Sequence, residues 1–562
     1  MASLAPLTGT LGLRRAAHLL RRTSYRYNKT AVDQLAKLSS SDAVASLLVA
    51  HPLQMDQPVY DPNPDNDPND PVTNVTWLLP TGLPLPEGSD DPELRRYVMG
   101  WWVNEALHDP GIVHKMTFFF HQYLIVAANS FGNAHFFDYL NLLRWGAVGN
   151  FKKLATKIVM DNCMVRYLNN QQNTATNPNE NFAREYFELF TIGKGPQIGD
   201  GDYTHYTEHD IVQAARVFTG FRALNPQTNP NTRIYVDPET GIPRCNVQFG
   251  AHDKGLKEFS SKFNGAKITG ATSAADMLRE LDDFVDMIFA QPETARNICR
   301  RLYRWFVSKN ITPEIETDII EPLAATFRDG NYEIKPVLQQ LLQSEHFYDA
   351  DDSDNTDEII GGMIKSPLEL YLQTINFFNL PIPSPTANPR RHYQQFYSNA
   401  VINRMFLPAG LPIFFSSDVA GYPGYYQQPD YSRQWFNSST IIARYKWPQM
   451  ALSGRQNYGT NPNASIYIKL DIVPWTKNSG FFSDPSDPYA LVQELLNYML
   501  PEQIDNDRFN YFYLDVFLDN LPPADWTYEW QNYLASGNQT EVKIPLERLI
   551  NAIMYSPEYQ TF

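Results

Sequence analysis

The sequence predicts a mainly α-helical protein, a large multi-helix globular fold with long irregular Pro/Asp/Tyr-rich loops and at most a small β-hairpin element. Three observations predict it. Long segments repeat apolar residues at 3.6-residue spacing, whereas strictly alternating runs are short and few. Clusters of Pro, Gly, Asn and Asp separate these segments, and such clusters stop helices and open turns. The 562 residues are 43% hydrophobic, 13% aromatic and 19% charged, enough to build a sizeable core.

The elements follow in order. Residues 13–50 read as two helices, LRRAAHLLRR and, past the loop TSYRYNK, TAVDQLAKL with SSDAVASLLVA; Thr30 and the serine cluster are N-cap candidates. Residues 51–91, with DPNPDNDPNDP and LPTGLPLPEGSDDP, read as a surface excursion or lid. ELRRYVMGWWVNEAL is helical and stops at His108-Asp109-Pro110-Gly111. IVHKMTFFFHQYLIVAA is apolar almost all round and predicts a central buried helix. FDYLNLLRWGAVGNFKKLATKIVMD follows with helical spacing. NPNENFAREYFELFTIGKG, residues 177–195, reads as one helix with Asn177 as N-cap, Pro178 at the first helical position, Glu180 closing a capping box and Gly193 as the stop. In YTEHDIVQAARVFTGF, Thr207 caps a helix with acidic residues in its first turn.

Residues 223–272 read as irregular or hairpin-like, with RIYV and NVQF as short strands about a Gly/Pro turn. Helices resume with AADMLRELDDFVDMIFA, ETARNICRRLYRWFVS and IKPVLQQLLQSEHF. DDSDNTD (351–357) is a solvated acidic link, KSPLELYLQTINFFNL a helix, and 381–433 a Pro/Gly/Tyr-rich stretch. FNSSTIIARYKWPQMAL restarts a helix at Asn437 or Ser438, and helices with Asp/Pro turns fill the remainder. The organisation is therefore an N-terminal helical segment (1–50), the Pro/Asp-rich loop (51–91), a helical core (92–350) carrying the 223–272 insertion, a helix with the Tyr-rich region (351–460), and C-terminal helices packed on the core (461–562). LQQLLQSEHF (338–347) and INAIMYSPEY (550–559) echo one another as helices ending in Ser, an acidic residue and an aromatic.

A net charge of −16 argues against a nucleic-acid binder, which would carry a basic stripe. Cys163, Cys245 and Cys299 are far apart and in no CxxC pattern, which disfavours disulfides and a thiolate zinc site and fits buried small hydrophobes. MASLAPLTGTLGLRRAAHLL lacks signal-peptide order, and no run approaches the roughly 18 apolar residues of a spanning helix, so no transmembrane segment and a cytoplasmic setting are expected.

Three constellations could carry chemistry. Within 177–195, Asn181, Arg184, Glu185 and Glu188 form a polar line beside the apolar line Ala183, Phe187, Phe190, with Arg184 one turn from both Glu180 and Glu188. That pattern is a capped, ion-paired or buried structural helix, or a site. His121, in FFFHQYL with His114 seven residues earlier, is either a hydrogen-bonded core histidine or a base or ligand; no HExxH or Glu-x-x-His pattern accompanies it. GAHDKG places His252 and Asp253 in a glycine-flanked loop. No P-loop, GxGxxG or GxSxG element occurs, and GYPGYY (421–426) lacks a phosphate loop's strand–helix context.

Taken in order, AAHLLRRTSYRYNKTAVDQLA, HKMTFFFHQYL, LLRWGAVGNFKKLATKIVMDNCMVRYLNNQQN, NPNENFAREYFELFTIG, YTEHDIVQAARVFTGF, HDKGLKEF, ETARNICRRLYRWFV and WFNSSTIIAR resemble the bacterial domain of unknown function 1800 family, the N-terminal phrasing being similar to members from Bacteroidetes. NENFARE and HDKG are its specific blocks, so the resemblance gives Asn179, Glu180, Asn181, Arg184 and Glu185 weight as a shared site or shared network. Relatives often have Trp before the central histidine and His two positions after it; here stand Phe120 and Tyr123, which disfavours a metal site built on those histidines. Where relatives have ELH or ELF, this chain has Phe190. The resemblance implies no particular activity or cofactor. It does imply export in many relatives, hence a cell-envelope or secreted setting as the alternative, and a protein partner of the alkaline-phosphatase/sulfatase type.

Two functions are expected from these residues. One is a hydrolytic or acid/base enzyme between the His121 helix, the 177–195 helix and the His252-Asp253 loop, with His121 or His252 as base, Glu180 or Glu185 as acid/base or metal ligand, Arg184 as anion clamp, Asp253 beside them, and Asn179, Asn181 and Glu188 binding. The other is a non-catalytic assembly or binding protein using the Tyr-rich loops as interface.

Overall fold

Helices dominate the computed structural model, which describes residues 2–50, 59–60, 75–76, 92–130, 132–224, 233–351, 359–385, 389–416, 418–453 and 468–562. The predicted lid at 51–91 and the acidic link DDSDNTD fall almost wholly outside the described residues. Strands among the described residues are two or three residues long and form antiparallel pairs: β1 (Val59–Tyr60) with β2 (Val75–Thr76), β3 (Gln197–Gly199) with β4 (Asp202–Tyr203), β5 (Phe221–Arg222) with β6 (Asn246–Val247), and β7 (Lys257–Glu258) with β8 (Lys267–Ile268). The mainly α class holds, but the expected hairpin does not. NVQF pairs with Phe221–Arg222, and RIYV makes only a bridge from Val236 to Pro243. RIYV instead folds back on residues 242–244 across the turn at Asp237–Ile242, with Asp237 N–H to Ile242 O at 2.9 Å and Arg244 N–H to Tyr235 O at 2.7 Å.

The N-terminal stretch makes three helices, not two: α1 (Gly12–Thr23), α2 (Lys29–Leu35) and α3 (Ser40–Leu47). Asn28, not Thr30, caps α2 by accepting from Ala31 N–H, and Ser39 caps α3 by accepting from Asp42 N–H. Two side-chain caps, at Asn28 and Ser39, start two separate helices within this short stretch. α4 (Pro92–His108) and α5 (Val113–Tyr123) follow, and every residue of α5 is buried, as its all-round apolar pattern requires. α6 (Asn133–Gly146) and α7 (Phe151–Ile158) pack on α5, α8 (Asn162–Tyr167) packs on α6, and α9 (Asn181–Glu185) packs on α10 (Glu208–Val217), which has the expected Thr207 cap, a full capping box with Asp210.

α11 (Ala274–Phe289) and α12 (Pro292–Phe306) lead through α13 (Pro313–Ile315) and a wide turn into α14 (Glu321–Asp329), α15 (Ile334–Leu342) and α16 (Pro367–Phe377). A long wide-turned helix, Arg390–Phe406, lies along α4; it comes so close that a Cβ on Gly100 would sit 2.2 Å from the carbonyl oxygen of Tyr393. α17 (Pro423–Tyr426), α18 (Thr440–Ser453), α19 (Ile472–Asn478), α20 (Pro488–Met499), α21 (Asn506–Asn510), α22 (Pro523–Ser536) and α23 (Thr540–Tyr555) complete the chain. Asn437 starts α18 by accepting from the Ser439 and Thr440 N–H groups at 2.9 and 3.1 Å.

The internal echo is one local geometry used twice. Ser344 Oγ donates to Leu341 O and accepts from Phe347 N–H; Ser556 Oγ donates to Ile553 O and accepts from Tyr559 N–H. In both copies the serine ends a helix and starts a 3₁₀ turn, His346–Tyr348 and Glu558–Gln560. The three cysteines are free and buried, and burial pushes the Cys245 thiol up to about 12.

Candidate functional site

His121 is fully buried on α5, and its hydrogen bonds define its state. The Tyr139 hydroxyl donates to Leu124 O at 2.6 Å, so toward His121 Nδ1 (3.0 Å) its oxygen accepts. The Tyr422 hydroxyl accepts from Phe414 N–H at 2.7 Å, leaving its proton for His121 Nε2 at 3.3 Å. The ring is thus the neutral Nδ1–H tautomer, and burial lowers its pKa to about 3. So low a value makes it a poor base near neutrality. His114, on the same helix, bonds Asp109 Oδ2 through Nδ1 at 2.8 Å.

The 177–195 segment departs from the expected single helix at both levels. Asn177 is exposed in a turn with Thr174; the helix begins at Asn181, where the Asn179 side chain accepts from Asn181 N–H at 3.0 Å. Residues 173–179 are held as turns by Asn179 N–H to Asn173 Oδ1 at 2.9 Å and Ala175 N–H to Ala251 O at 2.9 Å, bonds a straight helix would forfeit. From Tyr186 to Phe190 the helix widens to π geometry, and Gly193, at φ 77°, returns its N–H to Phe187 O at 2.9 Å. The extra residue per turn rotates Glu188 away from Arg184. Arg184 instead forks Glu208 of α10 with two 2.7 Å bonds, with Glu180 at 3.7 Å, while Glu188 faces Lys194 at 3.7 Å and Tyr206 OH at 3.4 Å. The hydrogen bond from Arg184 holds Glu208 below the usual carboxylate range. Half-buried Glu185 is pushed up, first by burial, then by the charge of Glu188. Asn181 reaches Leu168 O at 3.3 Å.

The HDKG loop is a closed network. His252 Nδ1 lies 2.9 Å from Thr219 O, and its Nε2 lies 3.2 Å from Glu280 Oε2. Glu280 also takes Lys257 Nζ at 2.5 Å and Ala271 N–H at 2.9 Å, while Asp253 is forked by Arg216 at 3.0 Å through both oxygens. His252, Lys257 and Glu280 have no exposed side-chain surface. His121, the Arg184 helix and the HDKG loop therefore sit in three separate bonded neighbourhoods.

A cavity of about 280 Å³ lies elsewhere, and two of the three expected elements reach it. α5 contributes Lys115, Phe119, Gln122 and Tyr123; the 177–195 helix contributes Leu189; the HDKG loop contributes nothing. Further walls come from α12, from Ser366 just before α16 and Glu369 in its first turn, and from residues 420–435. At its inner end Lys115 and Glu369 form a salt bridge with both side chains 2% exposed, and Ser366 Oγ also donates to Glu369. The Lys115 ammonium lies 5.1–5.6 Å from the ring centroids of Tyr25, Trp305 and Phe562.

More buried cations stand behind this pair. Arg22 donates to Ile359 O, Lys365 to Tyr559 O at 2.7 Å, and Arg444 to Lys365 O at 2.9 Å and to Gln560 Oε1 at 2.8 Å. Their partners are neutral. Burial lowers the pKa of Arg22, Lys115, Lys365 and Arg444, reaching about 9 for Arg22 and about 10 for Arg444; Glu369 opposes it at all four, joined by Tyr303 at Arg22 and preceded by Tyr371 at Arg444.

Sequence reasoning missed Lys115, Glu369, Arg301 and Arg304. The available signal was a lysine inside HKMTFFF and a glutamate inside PLELYL, since such charges are almost never fully buried unless paired. In the tyrosine-rich stretch, expected to supply an interface, Tyr393, Tyr397, Tyr422 and Tyr431 are buried, and Tyr425 and Tyr426 are half-buried in the cavity wall. Gly421 makes that wall possible: at φ 102°, a Cβ there would meet Gln122 Nε2 at 1.8 Å and the Gln122 carbonyl oxygen at 2.6 Å. Gly421→Ala is expected to cost about 1–3 kcal/mol and to speed proteolysis within 418–435. An unchanged melting temperature and digestion pattern would show that the wall yields freely.

No three His, Cys, Asp or Glu residues among the described residues group as a metal site would. Likewise, none of the described helices is long and apolar enough to cross a membrane. No curated protein matches the sequence, and no solved structure matches the fold. A family model described as "Protein of unknown function (DUF1800)" matches residues 18–561, from the buried histidine of α1 to the last turn, and so spans the cavity, the signature helix and the HDKG loop alike. The chain belongs to that family.

Proposed function

We propose that the protein is an acid/base enzyme whose working site is the 280 Å³ cavity, with Lys115 and Glu369 as its proton-handling pair. The observation that carries the reading is an ion pair buried on all sides except where it faces that cavity. A buried pair is weak support for stability, because desolvation offsets its attraction. One that meets a cavity sets a donor and an acceptor against any occupant. Burial alone would raise the Glu369 pKa, but the charge and hydrogen bond of Lys115, helped by Ser366, hold it below the usual carboxylate range. Glu369 is therefore ionised and acts as the counter-charge and acceptor that orients Lys115, whose pKa burial lowers and which is the proton donor of the pair. The reaction class this serves is hydrolysis or proton abstraction next to a polarised group. In this reading the NENFARE helix is a scaffold: its ion pairs fix α9 against α10, and Leu189 presents one face to the cavity. The assembly alternative draws no support from tyrosines that face inward.

A panel of activated esters, phosphoesters and enolisable carbonyl compounds tests this with three proteins. They are the wild type, Leu189→Trp, which fills the cavity from its rim, and the double variant Lys115→Met/Glu369→Leu. One substrate class should turn over in the wild type and fall about 10²–10⁴-fold in both variants. Equal turnover in the double variant would sink the acid/base assignment. Failure of the wild type on every class would favour a binding protein instead.

A further inference from the structure

Four cations and one carboxylate line the cavity: Lys115, Arg301, Arg304 and Lys309 against Glu369. That excess is local, in a chain whose net charge is −16. α12 itself shows how this protein treats a structural arginine. Arg296 bonds Glu321 at 2.6 Å, and Arg300 forks Glu316 at 2.6–3.0 Å while also reaching Glu293. Arg301 and Arg304, one turn apart on the cavity face, have no hydrogen-bond or ion-pair partner among the described residues, and Arg304 Nε is buried without one. Arg301 lies over the Tyr123 ring, 3.9 Å from its centroid, while Arg304 stands 6.0 Å from the Tyr431 centroid, at the limit of a cation–π contact. Such stacking fixes the orientation of a guanidinium and leaves its N–H edge free for an oxyanion. Beyond them the walls are apolar and aromatic, from Phe119, Trp305, Tyr425 and Trp435.

We propose that the cavity takes an organic oxyanion, a carboxylate or phosphate carried on an apolar or aromatic body, with Arg301 and Arg304 clamping the oxyanion and the aromatic walls holding the body. At about 30 Å³ per water the space equals roughly nine waters, room for a single-ring ligand. Holding two like charges side by side in a half-buried wall is unfavourable until a counter-charge arrives: burial and then the neighbouring Arg304 push the Arg301 pKa down. The inference deepens the reading above and rests on it only in taking this cavity as the working site. The clamp and the proton-handling pair fail separately.

Calorimetric titration decides it, with benzoate, phenyl phosphate, inorganic phosphate and neutral benzamide as probes, on the wild type, Arg301→Met and Arg304→Met. At least one aromatic anion is expected to bind, with benzamide weaker and each arginine variant weaker by roughly ten- to a hundredfold. The ligand-free variants should keep or gain melting temperature, because they lose an unpaired charge; a structural role would lower it. Benzoate against phenyl phosphate separates the two oxyanions. Benzamide binding as tightly as the anions, unaltered affinity in both arginine variants, inorganic phosphate matching phenyl phosphate, or no anion binding at millimolar concentration would each overturn the proposal. Binding without turnover sinks only the acid/base reading. Binding that survives Lys115→Met/Glu369→Leu but not Arg304→Met leaves the clamp standing alone.

Discussion

Glu369→Ala is expected to destabilise the protein by at least about 3–5 kcal/mol, the cost of leaving a buried charge unpaired. The loss exceeds that of a single pair because Glu369 serves several cations. It opposes burial at Arg22, Lys115, Lys365 and Arg444, whose other bonds go to neutral acceptors. Lys115→Met, by contrast, leaves Glu369 with three of those cations and should cost less. The double variant Lys115→Met/Glu369→Leu removes one charge of each sign but leaves Arg22, Lys365 and Arg444 without Glu369, and should lie between Lys115→Met and Glu369→Ala. Denaturant unfolding of the three proteins checks the order. Equal losses for Lys115→Met and Glu369→Ala would mean that Lys115 is the only cation Glu369 stabilises.

Acid should unfold this protein well above the range where most carboxylates titrate. His121 and His135 are held at about 3 and His392 at about 4, all chiefly by burial, and burial with the Arg22 charge holds His18 well below its ordinary value. The sign follows from where protons bind. Below about 6.5 the unfolded chain takes up a proton at each histidine and the folded chain does not, so stability falls as pH drops from about 6.5 toward the folded values. Each group contributes up to about 1.4 kcal/mol per pH unit inside that window. Asp161 acts oppositely: burial raises it to about 7, so the folded state binds its proton first, and it cancels roughly one histidine. Three net groups give about 4 kcal/mol per pH unit, against a typical total of 5–15 kcal/mol. Chemical denaturation at pH 7.5 and 5.0 measures the loss, and His135→Phe should reduce its slope. A midpoint that does not move between those pH values would show that the buried imidazoles are protonated with the fold intact.

The periodic segments were legible because a helix stripe is written locally. α5 is buried all round, α10 carries the Thr207 capping box, α18 starts at Asn437, and Gly193 adopts the left-handed turn its place demands. The local errors share one cause. Asn177, Pro178 and Glu180 satisfy the rules of a helix start, yet Asn173 six residues before Asn179 and the distant Ala251 hold the segment as turns. In NVQF the alternation was real, but Phe221–Arg222, far back in the chain, supplied the pairing strand.

Sequence alone determined the helical class, the family, the central buried helix and the prominence of NENFARE and HDKG, because spacing, capping chemistry and block order are properties of contiguous residues. It could not determine where charges meet. Arg184 finds Glu208 instead of Glu188, His121 is neutralised between two tyrosines, and HDKG closes on Glu280. Lys115 and Glu369 are 254 positions apart and become one pair at the cavity. Only the tertiary structure decides such pairings, because the Coulomb energy and desolvation that select them depend on distance and burial in space, and neither is fixed by separation along the chain.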